Sequence, residues 1–125
     1  MWPTLLQVAL GGALGAVGRY LVSVTALRLG GGGFPWGTLT VNVTGSFLMG
    51  VLVVALGQLN GMKLSPFLIT GVLGGFTTFS AFSLDAMTLY ERGQAGLAAA
   101  YVLASVSLSL VGIVSGLAAA RALSA

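Results

Sequence analysis

Apolar positions in this chain come in long unbroken runs, and charges interrupt them only at Arg19, Arg28, Lys63, Asp85, Glu91, Arg92 and Arg121. Leu29 to Met62 carries no charge, nor does Leu64 to Leu84 or Gly93 to Ala120. A helix rises about 1.5 Å per residue, so roughly 20 apolar residues cross a bilayer. The pattern predicts four spanning helices, at about 4–27, 35–59, 65–90 and 95–121, forming one transmembrane domain over 1–125. Arg28–Pro35, with its Gly30–Gly33 run, Asn60–Ser65 and Tyr90–Gln94 are left as linkers. Linkers this short hold no sizeable domain outside the membrane, so the chemistry is expected inside the bilayer.

Composition sharpens this reading. The 125 residues are 57% hydrophobic and 6% charged, with a mean hydropathy of +1.05. Soluble domains carry about 25% charged residues, so this chain has too few to cover a water-facing surface. The absence of cysteine and histidine excludes disulfides, thiolate chemistry, Cys/His zinc sites and a histidine base. Five Lys/Arg against two Asp/Glu give a net charge of +3, too sparse for a nucleic-acid footprint. Nothing before Arg19 is charged, so the first apolar run lacks the basic start of a signal peptide and is expected to stay as a span. Trp2, Trp36 and Tyr90 lie near predicted helix ends, where aromatic rings anchor at the interface or simply face lipid.

Charge also fails to choose an orientation. Lys63 and Arg121 fall on one side, Arg28 and Arg92 on the other, and a two-against-two tie leaves the positive-inside rule without a preference. Such a chain can insert both ways up, and the two orientations could pair in one antiparallel dimer. Most of the 20 glycines fall within the predicted spans, where small residues let helices approach closely in lipid. Gly12, Gly15 and Gly18 do not form a dinucleotide loop, because the spacing is wrong and no strand precedes them.

Three spans carry polar rows. Thr38, Asn42 and Ser46 lie four apart on the second, and Tyr101, Ser105 and Ser109 four apart on the fourth, so each row shares a helix face. On the third, Thr77, Ser80 and Ser83 are three apart, beside Thr78. Such hydroxyls bond back to their own helix, glue helices together or line a hydrated path. Asn42 is the strongest case, because a mid-span amide must find partners or face a cavity. The rows contain no acid, and the one charge well inside a span, Arg19, is positive. Arg19 either snorkels to the interface or acts at depth. This lining favours a small anion or a neutral solute over a cation.

The third span has the least regular sequence. Gly71 to Ser83 places glycines, two adjacent threonines and Phe76, Phe79 and Phe82 at its middle. Gly-Gly followed by Thr-Thr is a poor helix interior, so a break is expected, and broken backbone at membrane depth survives only where protein or a cavity covers it. Freed carbonyls there suit a cation, and half-helix amide ends suit an anion. Phe79 and Phe82 share a face, either for packing or to aim their electropositive ring edges at an anion.

Together the motifs resemble the Fluc (CrcB) fluoride channel family. They are Gly11-Gly12-Ala13-Leu14-Gly15-Ala16-Val17-Gly18-Arg19-Tyr20, then Gly37-Thr38-Leu39-Thr40-Val41-Asn42-Val43-Thr44-Gly45-Ser46-Phe47, then Gly74 through Ser83. Ala81 departs from the pattern, standing where many relatives carry threonine. The resemblance implies an all-α membrane protein with four spans per subunit, the third broken, in an antiparallel dual-topology homodimer. It also implies two fluoride pathways and a central structural sodium ion that is not transported. Backbone carbonyls of Gly74 and Thr77 from both subunits would hold that sodium. Phe79 and Phe82 would be the pore phenylalanines with Asn42 beside them, and Tyr101, Ser105 and Ser109 a hydroxyl track. Thr38, Ser80 and Ser83 would add to the polar lining, and Arg19 would serve a vestibule or the fold.

The expected function is passive export of cytoplasmic fluoride across a bacterial inner membrane, with no enzymatic activity and no nucleic-acid partner. A small multidrug exporter is the main rival. It would need an embedded carboxylate in the first span, and that span has only Arg19. A non-transporting assembly subunit, whose polar rows act only as glue, is the second rival.

Overall fold

The computed structural model describes residues 1–59 and 61–124, leaving Asn60 of the predicted second linker outside the described residues. Four helical segments are long and apolar enough to cross a membrane: Trp2–Gly30, Trp36–Gln58, Met62–Glu91 and Ala95–Ser124. The first two are single helices, α1 (Trp2–Gly30) and α2 (Trp36–Gln58). The third span is composite. A 3₁₀ turn at Met62–Leu64 leads into a π-helical stretch at Pro66–Leu73, then the short α3 (Gly74–Phe76) and, after two extended residues, α4 (Phe79–Glu91). The last span is α5 (Ala95–Ser124).

Chain reversals use glycine where the backbone demands it. Gly31 and Gly93 have positive φ, 75° and 81°, a region that side chains with a Cβ avoid. At the end of α4, Gly93 N–H donates to the Tyr90 carbonyl and Gln94 N–H to the Leu89 carbonyl, the paired bonds of a Schellman stop. This reversal sets α5 antiparallel to α4.

Packing pairs α2 with α5 and α1 with the π-helical stretch. Both contacts are backbone-close. A methyl group on Gly11 would meet the Phe67 carbonyl and lie 2.9 Å from Gly71 Cα, and one on Gly116 would meet the Phe47 carbonyl. Such glycine seams substitute for the hydrophobic driving force that lipid cannot supply. The small core gathers Phe82, Leu89, Ala98 and Tyr101 beneath Phe34 and Leu39. Large apolar side chains such as Leu10, Leu14, Leu103 and Val114 stay exposed, as expected of surfaces that meet lipid.

Candidate functional site

The site begins where helix is lost. Thr77 and Thr78 are extended, with φ, ψ of −85°, 158° and −154°, 121°, so the donors and acceptors around them need new partners. Asn42 on α2 supplies two of these. Its Nδ2 donates to the Thr78 carbonyl at 3.0 Å, and its Oδ1 accepts from Thr78 N–H at 2.8 Å. Arg19 on α1 supplies a third, its Nε donating to the Gly75 carbonyl at 3.1 Å. Thr78 then caps α4, its Oγ1 accepting from Ala81 N–H at 3.1 Å, a bond that ordinarily stabilises a helix start by about 1 kcal/mol.

These substitutions leave two carbonyls exposed to other uses. In a continuous helix Gly74 O would accept from Thr78 N–H and Thr77 O from Ala81 N–H. Both donors are diverted, to Asn42 Oδ1 and Thr78 Oγ1 respectively. Gly74 and Thr77 therefore present hard, neutral oxygens. Among the described residues no group of three or more His, Cys, Asp or Glu could hold a metal ion.

Beside this segment α2, α4 and α5 enclose a cleft of about 320 Å³. Asn42, Ser46, Thr77, Phe79, Phe82, Ser105 and Ser109 contribute to its lining, with Gly45, Met49 and Ile113 closing it. Among the described residues no charged side chain lines it. Asn42 has spent one amide hydrogen on Thr78, so its second remains for the cleft. Ser105 is 5% exposed and lies beside the Tyr101 hydroxyl, but its Oγ makes no hydrogen bond of good geometry among the described residues. An unpartnered hydroxyl at this depth is costly unless something in the cleft pairs with it. The Phe79 and Phe82 rings lie 5.4 Å apart and tilted by 47°. Phe82 is buried, whereas Phe79 is 78% exposed on the surface of the single chain.

A second cavity, also about 320 Å³, lies towards the α1–α2 linker and brings together Thr38, Asp85, Thr88 and Arg92. Tyr101 belongs to this side. Its hydroxyl donates to Asp85 Oδ2 at 3.2 Å, while its ring lies 5.3 Å from Phe82. Phe34 from the linker closes edge-on to Tyr101 at 5.4 Å. Arg92 Nη1 donates to the Gly32 carbonyl at 3.4 Å. The touching Phe82 and Tyr101 rings thus stand between the two cavities.

The predicted rows are therefore divided. Asn42, Phe79, Phe82, Ser105 and Ser109 meet in the first cleft, joined by Ser46 and Thr77, whereas Thr38 lies at the second cavity, where the Tyr101 hydroxyl meets Asp85. Ser80 and Ser83 line neither. Ser80 Oγ lies 3.3 Å from Thr78 Oγ1, and Ser83 Oγ donates back to the Phe79 carbonyl at 3.0 Å. Thr77 Oγ1 likewise donates to the Leu73 carbonyl at 2.9 Å. The Arg19–Gly75 bond, the Asn42 clamp on Thr78 and the Asp85–Tyr101 pair are absent from the sequence reading. One of them was signalled. Asp85 and Tyr101 lie eight residues either side of Gly93, so a tight antiparallel turn there sets them at the same depth.

The fold and cleft define a helical membrane protein with four spans and an uncharged polar cleft beside a non-helical segment. Residues 6–117 match the family described as CrcB-like protein, Camphor Resistance (CrcB), and the chain belongs to that family. It is 69% identical over 121 residues to the fluoride-specific ion channel FluC of Cereibacter sphaeroides, covering 97% of each chain. Identity to proteins of the same name is 57% over 120 residues in Paracoccus denitrificans, covering 96% of each, and 57% over 116 residues in Agrobacterium fabrum, covering 91% of this chain and 93% of the relative. The chain is a multi-pass membrane protein.

Proposed function

We propose that this chain is a fluoride-specific channel that releases cytoplasmic fluoride passively across a bacterial inner membrane. It conducts an ion and is not an enzyme. The observation that carries the reading is the cleft: it pairs an unpartnered buried hydroxyl, Ser105, with an amide donor, Asn42, and two phenylalanine rings, and has no charged wall. A small anion shedding water needs donors at each step but must not meet a fixed cation that holds it. Hydroxyl and amide hydrogens offer the first contacts, and the ring edges of Phe79 and Phe82 carry the positive side of the aromatic quadrupole. The full-length likeness to proteins named for fluoride gives the ion its identity. Weak hydrofluoric acid enters cells and dissociates, so a passive path for the trapped anion lowers its toxicity. A bacterium made fluoride-sensitive by loss of its own exporter should grow in fluoride when it expresses this chain. Continued sensitivity despite membrane-inserted protein would count against the reading.

The working unit in this proposal is an antiparallel, dual-topology homodimer whose third span is discontinuous. The charge tie between Lys63/Arg121 and Arg28/Arg92 supports it, as does the exposure of Phe79 and Gly74 on the single chain. A second copy would cover these positions and complete each pathway. The Gly74 and Thr77 carbonyls, freed of their helical donors, would together with their counterparts hold a structural sodium ion. Neutral backbone oxygens with no nearby carboxylate suit a monovalent cation, since divalent ions recruit acids. When bound, the ion supplies a fixed positive charge at the centre and is not transported. Arg19 in this account positions the discontinuity through Gly75. Tyr101 and Thr38 form the continuation of the path beyond Phe82, with Asp85 holding the Tyr101 hydroxyl, while Ser80 and Ser83 stay peripheral to it.

A further inference from the structure

Away from the cleft, α1 and α2 leave a lipid-side groove of about 350 Å³ between them, lined by Leu21, Val22, Thr25, Ala26, Leu29 and Thr40. Its floor is apolar, and the Thr40 hydroxyl is already spent on the Trp36 carbonyl at 2.7 Å. Its end at the linker is different in character. Arg28 sits in the last turn of α1, exposed, three residues beyond Thr25 and so on the same face. Trp36 opens α2 one turn before Thr40 and is 49% exposed. No acid occurs in α1 or α2, and Asp85, which reaches the linker from α4, lies in the second cavity and accepts from the Tyr101 hydroxyl. An apolar slot that runs towards a cation at the close of a span matches the depth profile of an anionic phospholipid.

We propose that this groove is a binding site for one anionic phospholipid of the surrounding bilayer, with an acyl chain between α1 and α2 and its phosphate on Arg28. The apolar slot sets depth and Arg28 sets headgroup preference. The proposal does not depend on which ion the protein conducts.

Native mass spectrometry of the full-length protein, released from mixed phosphatidylglycerol and phosphatidylcholine of identical chains, tests the site. The last lipid adduct to dissociate should be phosphatidylglycerol. Arg28→Gln should lower the phosphatidylglycerol-to-phosphatidylcholine ratio of that adduct about fivefold, the effect of one basic side chain at an anionic headgroup. Arg28→Lys should keep it. Thr25→Trp, which fills the slot from an exposed position, should reduce retention of both lipids. Arg121→Gln should change nothing. Wild-type protein with no headgroup preference, an unaltered ratio in Arg28→Gln, or unaltered retention in Thr25→Trp would each overturn the proposal.

Discussion

Replacing Asn42 with alanine is the substitution whose cost follows most directly from the geometry. Asn42 holds both backbone groups of Thr78, at 3.0 and 2.8 Å, and alanine leaves a donor and an acceptor without partners at the edge of the cleft. An unsatisfied buried polar group costs about 1–3 kcal/mol, which puts two of them at roughly 2–6. Hydrogen bonds measured inside membrane proteins average nearer 0.6 kcal/mol because the unfolded chain in lipid finds other partners, which sets a floor of roughly 1 for the pair. Asn42 and Thr78 are only half-buried, so water reaching the cleft offsets part of the loss. A destabilisation of about 2 kcal/mol is expected by weighing these limits. Unfolding in mixed detergent micelles at increasing dodecyl sulfate would measure it, and fluoride flux should fall in the same variant. Asn42→Asp should be worse, because a carboxylate keeps the acceptor for Thr78 N–H but faces the Thr78 carbonyl with no hydrogen to give. Stability within ~0.5 kcal/mol of wild type in both variants would refute the clamp and leave Asn42 as pathway lining alone.

Phe82→Ile and Phe79→Ile keep much of the side-chain volume and lose the ring edge, so each should sharply lower fluoride flux while dimers, read by cross-linking, persist. Gly116→Val should drive a side chain into the Phe47 carbonyl, separating α2 from α5 at a cost of about 1–3 kcal/mol, visible in the same micelle unfolding assay. Adding lysines to the loops on one side should lock one orientation and silence the protein alone, with coexpression of the oppositely biased version restoring flux; normal flux from the locked form alone would remove the antiparallel dimer. Exhaustive replacement of sodium by a large organic cation should abolish flux or loosen the dimer, and unchanged behaviour would remove the ion.

The four spans were readable because lipid imposes length and polarity on every residue that crosses it, and seven charges leave little freedom in placing the gaps. The polar rows were readable only as faces. A four-residue period puts Thr38 with Asn42 and Tyr101 with Ser105, but contact between Phe82 and Tyr101 divides each row between two cavities. That division depends on how α4 leans on α5, which no single-helix period encodes. The poor helix formers at Gly74–Thr78 marked where regular helix lapses, and not how the lapse is satisfied. Arg19 and Gly75 are 56 residues apart and Asn42 and Thr78 are 36 apart, and only the packing of α1 and α2 against the third span brings them together. Ser80 and Ser83 show the converse: hydroxyls at helical spacing whose partners are local, as back-bonding allows.

The measurement that bears most directly on the central claim is anion efflux from liposomes holding only this polypeptide, purified and reconstituted in sodium-containing buffer. Vesicles loaded with equal fluoride and chloride, with a potassium ionophore to balance charge, should release fluoride rapidly and retain chloride. Release of both anions at equal rates, or of neither from vesicles shown to contain dimeric protein, would contradict a fluoride-specific path through the Asn42–Phe82–Ser105 cleft.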